Sequence, residues 1–97
     1  MPFGSDPKKA ARNAAWHGIT FAEAEQVFAP GVVSITRPDP KHSAAEARYQ
    51  TLGPIASGRV LLVVWTERAG GVIRIISARP ASRRERRLYA THTRGTP

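Results

Sequence analysis

The spacing of apolar and polar residues along the chain changes period several times and divides it into helical and extended stretches. The first stretch opens at Asp6, a residue type that caps helix N-termini, followed by Pro7, which suits the first helical position. It closes at Gly18, the residue type that ends helices in the left-handed conformation. On a helical wheel Ala10, Ala11, Ala14 and Ala15 share one side. Lys8, Lys9, Arg12 and Asn13 share the other, with Trp16 among them and His17 at the border. The spacing predicts a helix with its alanine side close against a sheet and a basic face outward. A second helix starts at Thr20-Phe-Ala-Glu23, where hydroxyl and carboxylate each satisfy an orphan backbone N–H. It should run to about Phe28, before Pro30-Gly31, burying Phe21, Ala24 and Phe28.

The rest of the pattern is mostly extended. Residues 32–36 read as a short β-branched strand, and residues 37–43, with Pro38 and Pro40, as a loop. Residues 48–52 form a strand ended by Gly53-Pro54. Residues 60–66 are apolar almost throughout, as in a central strand covered on both faces. Ala69-Gly70-Gly71 is a tight reversal, and residues 72–77 its hairpin partner. A last helix begins at Ser82-Arg-Arg-Glu85, another reciprocal cap, and fades near Thr91, with a frayed tail from Thr93. The expected fold is α+β: two N-terminal helices, a three- to four-stranded antiparallel sheet and a C-terminal helix. All 97 residues form one domain with an ordered core over about residues 6–91.

Charge sharpens this picture. Through Glu67 seven Lys/Arg stand against six Asp/Glu, whereas from Arg68 onward eight arginines face only Glu85. A field so localised suits phosphate or an acidic protein surface, and an all-arginine set favours bidentate contacts. No cysteine is present, which excludes disulfides and thiolate metal sites. His42 and Glu46 lie in a Pro-rich loop near Asp39, but Ser43-x-x-Glu46 is itself a capping box and further ligands are lacking, so no metal site and no cofactor is expected. The longest apolar run has six residues, too short for a bilayer, and the N-terminus carries no secretory pattern; a cytoplasmic protein is expected.

Several blocks are more specific. Asp6-Pro-x-Lys9-x-x-x-Asn13-x-x-x-His17-Gly18-Ile19-x-Phe21-x-Glu23-Ala24 is followed by Asp39-Pro-Lys-His42-Ser43-x-x-Glu46-x-Arg48-Tyr49 and by Gly58-Arg-Val-Leu-x-Val-Val. Thr66-Glu67-Arg68, Arg74-Ile-Ile-Ser-Ala-Arg79-x-Ala81 and Glu85-x-x-x-Tyr89 complete the series. In this order the blocks resemble the BrnT family within the RelE-like superfold. Two positions depart from it. Gly4-Ser5 replaces an aromatic residue in a short N-terminal strand, so that strand is left out of the expected sheet, and Trp16 replaces a basic residue before His-Gly.

The resemblance implies the toxin of a type II toxin–antitoxin system, an endoribonuclease that cuts RNA without metal and inhibits translation. In such chemistry the 2′-hydroxyl attacks the adjacent phosphate, which calls for charge stabilisation and two proton transfers. Arg74 on the last strand and Arg79 at its exit are the candidate charge stabilisers, or else structural partners of Glu67 or Glu85, or plain surface charge. His17 belongs to the residue type best suited to proton shuttling near neutrality, yet it also stands where it can cap a helix end. Glu67 is a candidate base or a solvated turn residue; Tyr89 is a candidate acid or a helix anchor. Lys9, Asn13, Arg83, Arg84 and Arg87 are the candidate RNA contacts, and the arginine face of the last helix suits RNA, a ribosome or an acidic antitoxin segment equally. Trp16, amid Lys8, Lys9 and Arg12, either stacks on a base or, the favoured reading, packs under the neighbouring sheet. The implied partner is a BrnA-type antitoxin, two copies with two of the toxin, which alone contacts promoter DNA. The competing reading is a non-catalytic RNA- or antitoxin-binding module, a decayed toxin.

Overall fold

The computed structural model describes residues 2–39 and 46–94. The elements run β1 (Phe3–Ser5), α1 (Pro7–His17), α2 (Phe21–Glu25), a 3₁₀ turn (Gln26–Phe28), β2 (Ile35–Pro38), β3 (Tyr49–Pro54), β4 (Val60–Arg68), a second 3₁₀ turn (Ala69–Gly71), β5 (Val72–Pro80) and α3 (Arg83–Arg94). His42, Ser43 and the capping box expected there lie outside the described residues, as do residues 95–97.

The described strands form one sheet of order β1-β5-β4-β3-β2. β2 to β5 are an antiparallel meander, while β1 joins β5 in parallel, pairing Phe3 with Ile73 and Ser5 with Ile75. The expected sheet of three to four antiparallel strands is therefore corrected to a five-stranded mixed one. Three residues carry no periodicity of their own; β1 exists because β5 offers it an edge. A second correction concerns β2, expected at 32–36 and found three residues later, with Pro38 inside it. As an edge strand, β2 pairs on one side only, which lets it accommodate a residue without an N–H. α3 likewise extends past Thr91 to Arg94.

Both capping boxes form as spelled out. The Glu23 N–H donates to Thr20 Oγ1 and the Thr20 N–H to Glu23 Oε1, each at 3.0 Å. At α3 the Glu85 N–H donates to Ser82 Oγ (3.1 Å) and the Ser82 N–H to Glu85 Oε1 (2.8 Å). Asp6 accepts from the Lys8 N–H at 2.9 Å, and Gly18, at φ +66°, donates its N–H to the Ala14 carbonyl.

Strand alternation gives β4 two covered faces. On one face Leu61 and Val63 join Ile73, Ile75, Ala78 and the α2 residues Phe21 and Ala24 in the main core. An aromatic file, Phe3–Phe28–Trp65–Tyr49, with centroids 4.9–5.8 Å apart, closes its rim. On the other face Leu52, Leu62 and Ala81 form a smaller cluster with Ile35, Val60 and Tyr89 of α3.

The seating of α1 reverses the expectation drawn from its alanines. Ala11, Ala14 and Ala15 are exposed, whereas Asn13 is buried, at 5% exposure. β1 stops at Ser5, so the far half of β5 has no strand beside it. Asn13 takes that place: its Oδ1 accepts from the Ala78 N–H (2.9 Å), and its Nδ2 donates to the carbonyls of Ala78 (2.7 Å) and Ile19 (2.9 Å). Three hydrogen bonds to backbone outweigh the slight apolar burial that a few methyl groups offer. Asn13→Ala leaves three buried backbone groups unpaired and should cost about 2–4 kcal/mol. Ala14→Gln, on the exposed side, should cost under about 0.5 kcal/mol. Urea unfolding midpoints of the two variants check the orientation of the helix.

Candidate active site

The register of β4 and β5 contains one irregularity. Val64 pairs with Ser77 and Trp65 with Ile75, so Ile76 is an extra residue on β5. Such a bulge bends a strand and re-aims its side chains. Arg74 pairs with Thr66 and Arg79 with Leu62, two β4 residues of like parity. The bulge thus puts Arg74 and Arg79 on one face, the α3 face, although an odd number of steps separates them. Their stations lie four β4 residues apart, about 13 Å.

On that face Arg79 is committed to a partner. Its guanidinium donates from both terminal nitrogens to the two carboxylate oxygens of Glu85, at 2.7 and 2.8 Å. This fork-to-fork pair raises the Arg79 pKa and, with the Ser82 cap, holds the Glu85 carboxyl down to about 2. Of the readings left open by the sequence for Arg79, the pairing with Glu85 is the one present. Arg74 is half-buried on the same face. Tyr89 donates its hydroxyl to the Val33 carbonyl, anchoring α3 on the approach to β2. Glu67 pairs with Ile73, which puts it on the opposite face from Arg74, exposed at the hairpin tip. The structure therefore does not gather Arg74, Arg79, Glu67, Tyr89 and His17 at one point.

It gathers a different set. Where α1 crosses the bulge, a cleft of about 230 Å³ is lined by Lys9, Arg12, Asn13, Trp16, His17, Ile76 and Ser77. Two cations, an imidazole, an indole and a hydroxyl line it, and no carboxylate does. His17 meets the Trp16 ring edge to face, centroids 6.4 Å apart. Trp16 is 79% exposed, which overturns the expectation that it packs under the sheet. Lys9 and His17, candidates from the sequence, both line this cleft. Asn13 lines the cleft too, but its amide is spent on Ala78 and Ile19, so its first role is in the fold. Arg12 was legible only as a basic position, and Ser77 gave no signal because the bulge that exposes it is a property of strand pairing.

The remaining candidate RNA contacts lie on α3. Arg83, Arg84 and Arg87 are exposed, and a wide groove of about 610 Å³ sets Arg84, Arg87 and Leu88 against Arg37 of β2. Arg86 instead reaches back to the Ala81 carbonyl at 2.9 Å. Among the described residues no three His, Asp or Glu side chains come together as metal ligands, and no helix is long and apolar enough to cross a membrane.

This fold and its cleft define a small basic α+β domain whose cationic pocket opens where a strand edge is left free. The family model for the ribonuclease toxin BrnT of type II toxin–antitoxin systems matches residues 6–85, and the chain belongs to that family. In fold it is similar to the crystal structure of the Brucella abortus ribonuclease toxin BrnT, with a TM-score of 0.67 and 24% sequence identity over 86% of this chain and 99% of that one. No individually curated protein matches.

The Arg79–Glu85 pair predicts a pH signature. Because the Glu85 carboxyl is held near 2 rather than 4.5, its contribution is complete above 4.5 and disappears as pH falls towards 2. The pair is partly exposed, so screening reduces it to about 1–2 kcal/mol. The stability gap between the native chain and Glu85→Gln, from urea unfolding, should close across that window.

Proposed function

We propose that this chain is the toxin of a type II toxin–antitoxin pair and acts as a metal-independent endoribonuclease, with the α1–β5 cleft as its reaction site. The observation that carries the reading is the meeting of Lys9, Arg12 and His17 in one cleft free of carboxylates. Phosphodiester cleavage through the neighbouring ribose asks for that combination. Positive charge gathers around the phosphorus as its equatorial oxygens become more negative, and a side chain able to take up and return a proton stands within reach.

In this reading Lys9 and Arg12 hold the scissile phosphate. The 2′-hydroxyl attacks it, the P–O5′ bond breaks, and the products are a 2′,3′-cyclic phosphate and a 5′-hydroxyl. His17 handles one of the two protons, that leaving the 2′-oxygen or that arriving at the 5′-oxygen. No step at the reacting phosphate is assigned to Arg74, Arg79, Glu67 or Tyr89. The exposed arginines 83, 84 and 87 extend the basic surface along which RNA, free or ribosome-bound, approaches.

Belonging to a family of type II toxins brings with it an antitoxin as partner. We take that partner to be a BrnA-type protein, two copies with two toxins, which neutralises the cleft in the cytoplasm and carries the only contact with promoter DNA. Free of it, the toxin halts translation.

The test is incubation of the isolated chain with RNA in the presence of a metal chelator. Fragments ending in 2′,3′-cyclic phosphate should appear, and His17→Ala should slow their appearance by about 10²–10⁴-fold. Lys9→Ala should weaken RNA binding and lower its salt dependence by about one phosphate contact. RNA recovered intact, bound with steep salt dependence, would instead identify a binding module.

A further inference from the structure

The two tryptophans have opposite fates. Trp65 lies between Phe28 and Tyr49, with its indole N–H donated to Thr51 Oγ1 at 2.7 Å. Trp16 stays in solvent at 79% exposure, and among the described residues its ring contact is with His17, planes at 88°. An edge-to-face contact steadies the tilt of the indole without covering it. Such an exposed aromatic surface brings no packing energy to the fold.

Its neighbours give the surface a use. Lys9, Arg12 and Trp16 follow one another at i, i+3 and i+7, so they form a continuous ridge along α1, and all three line the cleft. A ridge that sets an ammonium and a guanidinium in line with a bare indole presents charge to a sugar–phosphate backbone and a flat π-face to an unstacked base. The alternative use of an exposed tryptophan is a protein contact. The outward residues beside it, Ala11, Ala14 and Ala15, add little apolar surface, while the lining beside it is cationic without counter-charge.

We infer that Trp16 is the base-stacking platform of the cleft, so that the protein selects unpaired RNA and draws a nucleobase flanking the scissile phosphate onto the indole. The inference rests on the nuclease reading above and names its substrate class. A duplex cannot supply such a base without unstacking it, which costs a few kcal/mol.

The experiment uses the whole chain and a labelled RNA oligonucleotide made uncleavable by 2′-deoxy substitution at the reacting ribose. An abasic residue is placed in turn at each flanking position, and binding is read by fluorescence anisotropy. Cleavage of the unmodified oligonucleotide by the native chain is measured alongside. Trp16→Ala should weaken binding of the unpaired oligonucleotide by roughly 5- to 100-fold, and Trp16→Phe by less. One abasic position should reproduce that loss in the native chain and add nothing further in Trp16→Ala. The native preference for unpaired over paired RNA should shrink in the same variant. Equal binding by Trp16→Ala, or an abasic penalty that persists in it, overturns the inference while leaving the nuclease reading intact if the native chain still cuts RNA. Unchanged RNA binding with a weakened antitoxin complex overturns it too and assigns Trp16 to a protein interface. A native chain that neither binds nor cuts RNA removes both readings.

Discussion

One carboxamide sets how the N-terminal helices meet the sheet. Through Asn13, α1 pairs with the N–H and C=O of Ala78 as another strand would, and the same NH₂ group reaches the Ile19 carbonyl between the first two helices. Both ends of the amide are used, in a place from which water is excluded, and the alternative for its partners is an unsatisfied buried backbone group. The interaction fixes the rotation of α1 about its own axis. With Asn13 turned inward, Lys9 and His17 come to the lip of the cleft and Trp16 is left outside. Rotate the helix onto its alanines and the cleft ceases to exist.

The extra residue in β5 works beside that amide. An unbroken strand would send Arg74 and Arg79 to opposite faces; the bulge at Ile76 returns them to one. It also brings Ile76 and Ser77 to the cleft under α1. Within a few residues, then, the strand changes neighbours: β1 beside Ile73 to Ile75, a side-chain amide at Ala78. Local polarity follows the same division. The cleft keeps its positive charge unpaired with any lining carboxylate, whereas on the other face Glu85 occupies the Arg79 guanidinium.

Much of this was legible in the residues. The caps at Asp6, Thr20 and Ser82, the stop at Gly18 and the central strand are all local rules, written in side chains that act on their own backbone. So was the family, because its motif blocks are spread along the chain in order. What escaped depends on partners distant in sequence. β1 is too short to announce itself, and β2 accepts Pro38 only because it ends the sheet. Four alanines outvote one asparagine on a wheel, yet the asparagine faces inward because a free edge awaits it 65 residues later. The gathering of candidate residues failed for the same reason. Glu67 and Arg74 are close in the folded hairpin but on opposite faces, and Trp16 stays outside although packing under the sheet was the favoured expectation.

No residue of α3 is fully buried. The helix is held by Tyr89 resting against Leu52, Leu62 and Ala81 and by polar ties at its base and flank: the Glu85 carboxylate at Ser82 and Arg79, Arg86 on Ala81, and the Tyr89 hydroxyl on Val33. An element attached by its edges leaves its outer surface nearly uncoupled from the interior. The positions of Arg83, Arg84 and Arg87 can therefore exchange charge for other chemistry with little disturbance to the sheet beneath. In such a body, recognition on this side is free to drift while the scaffold stays the same.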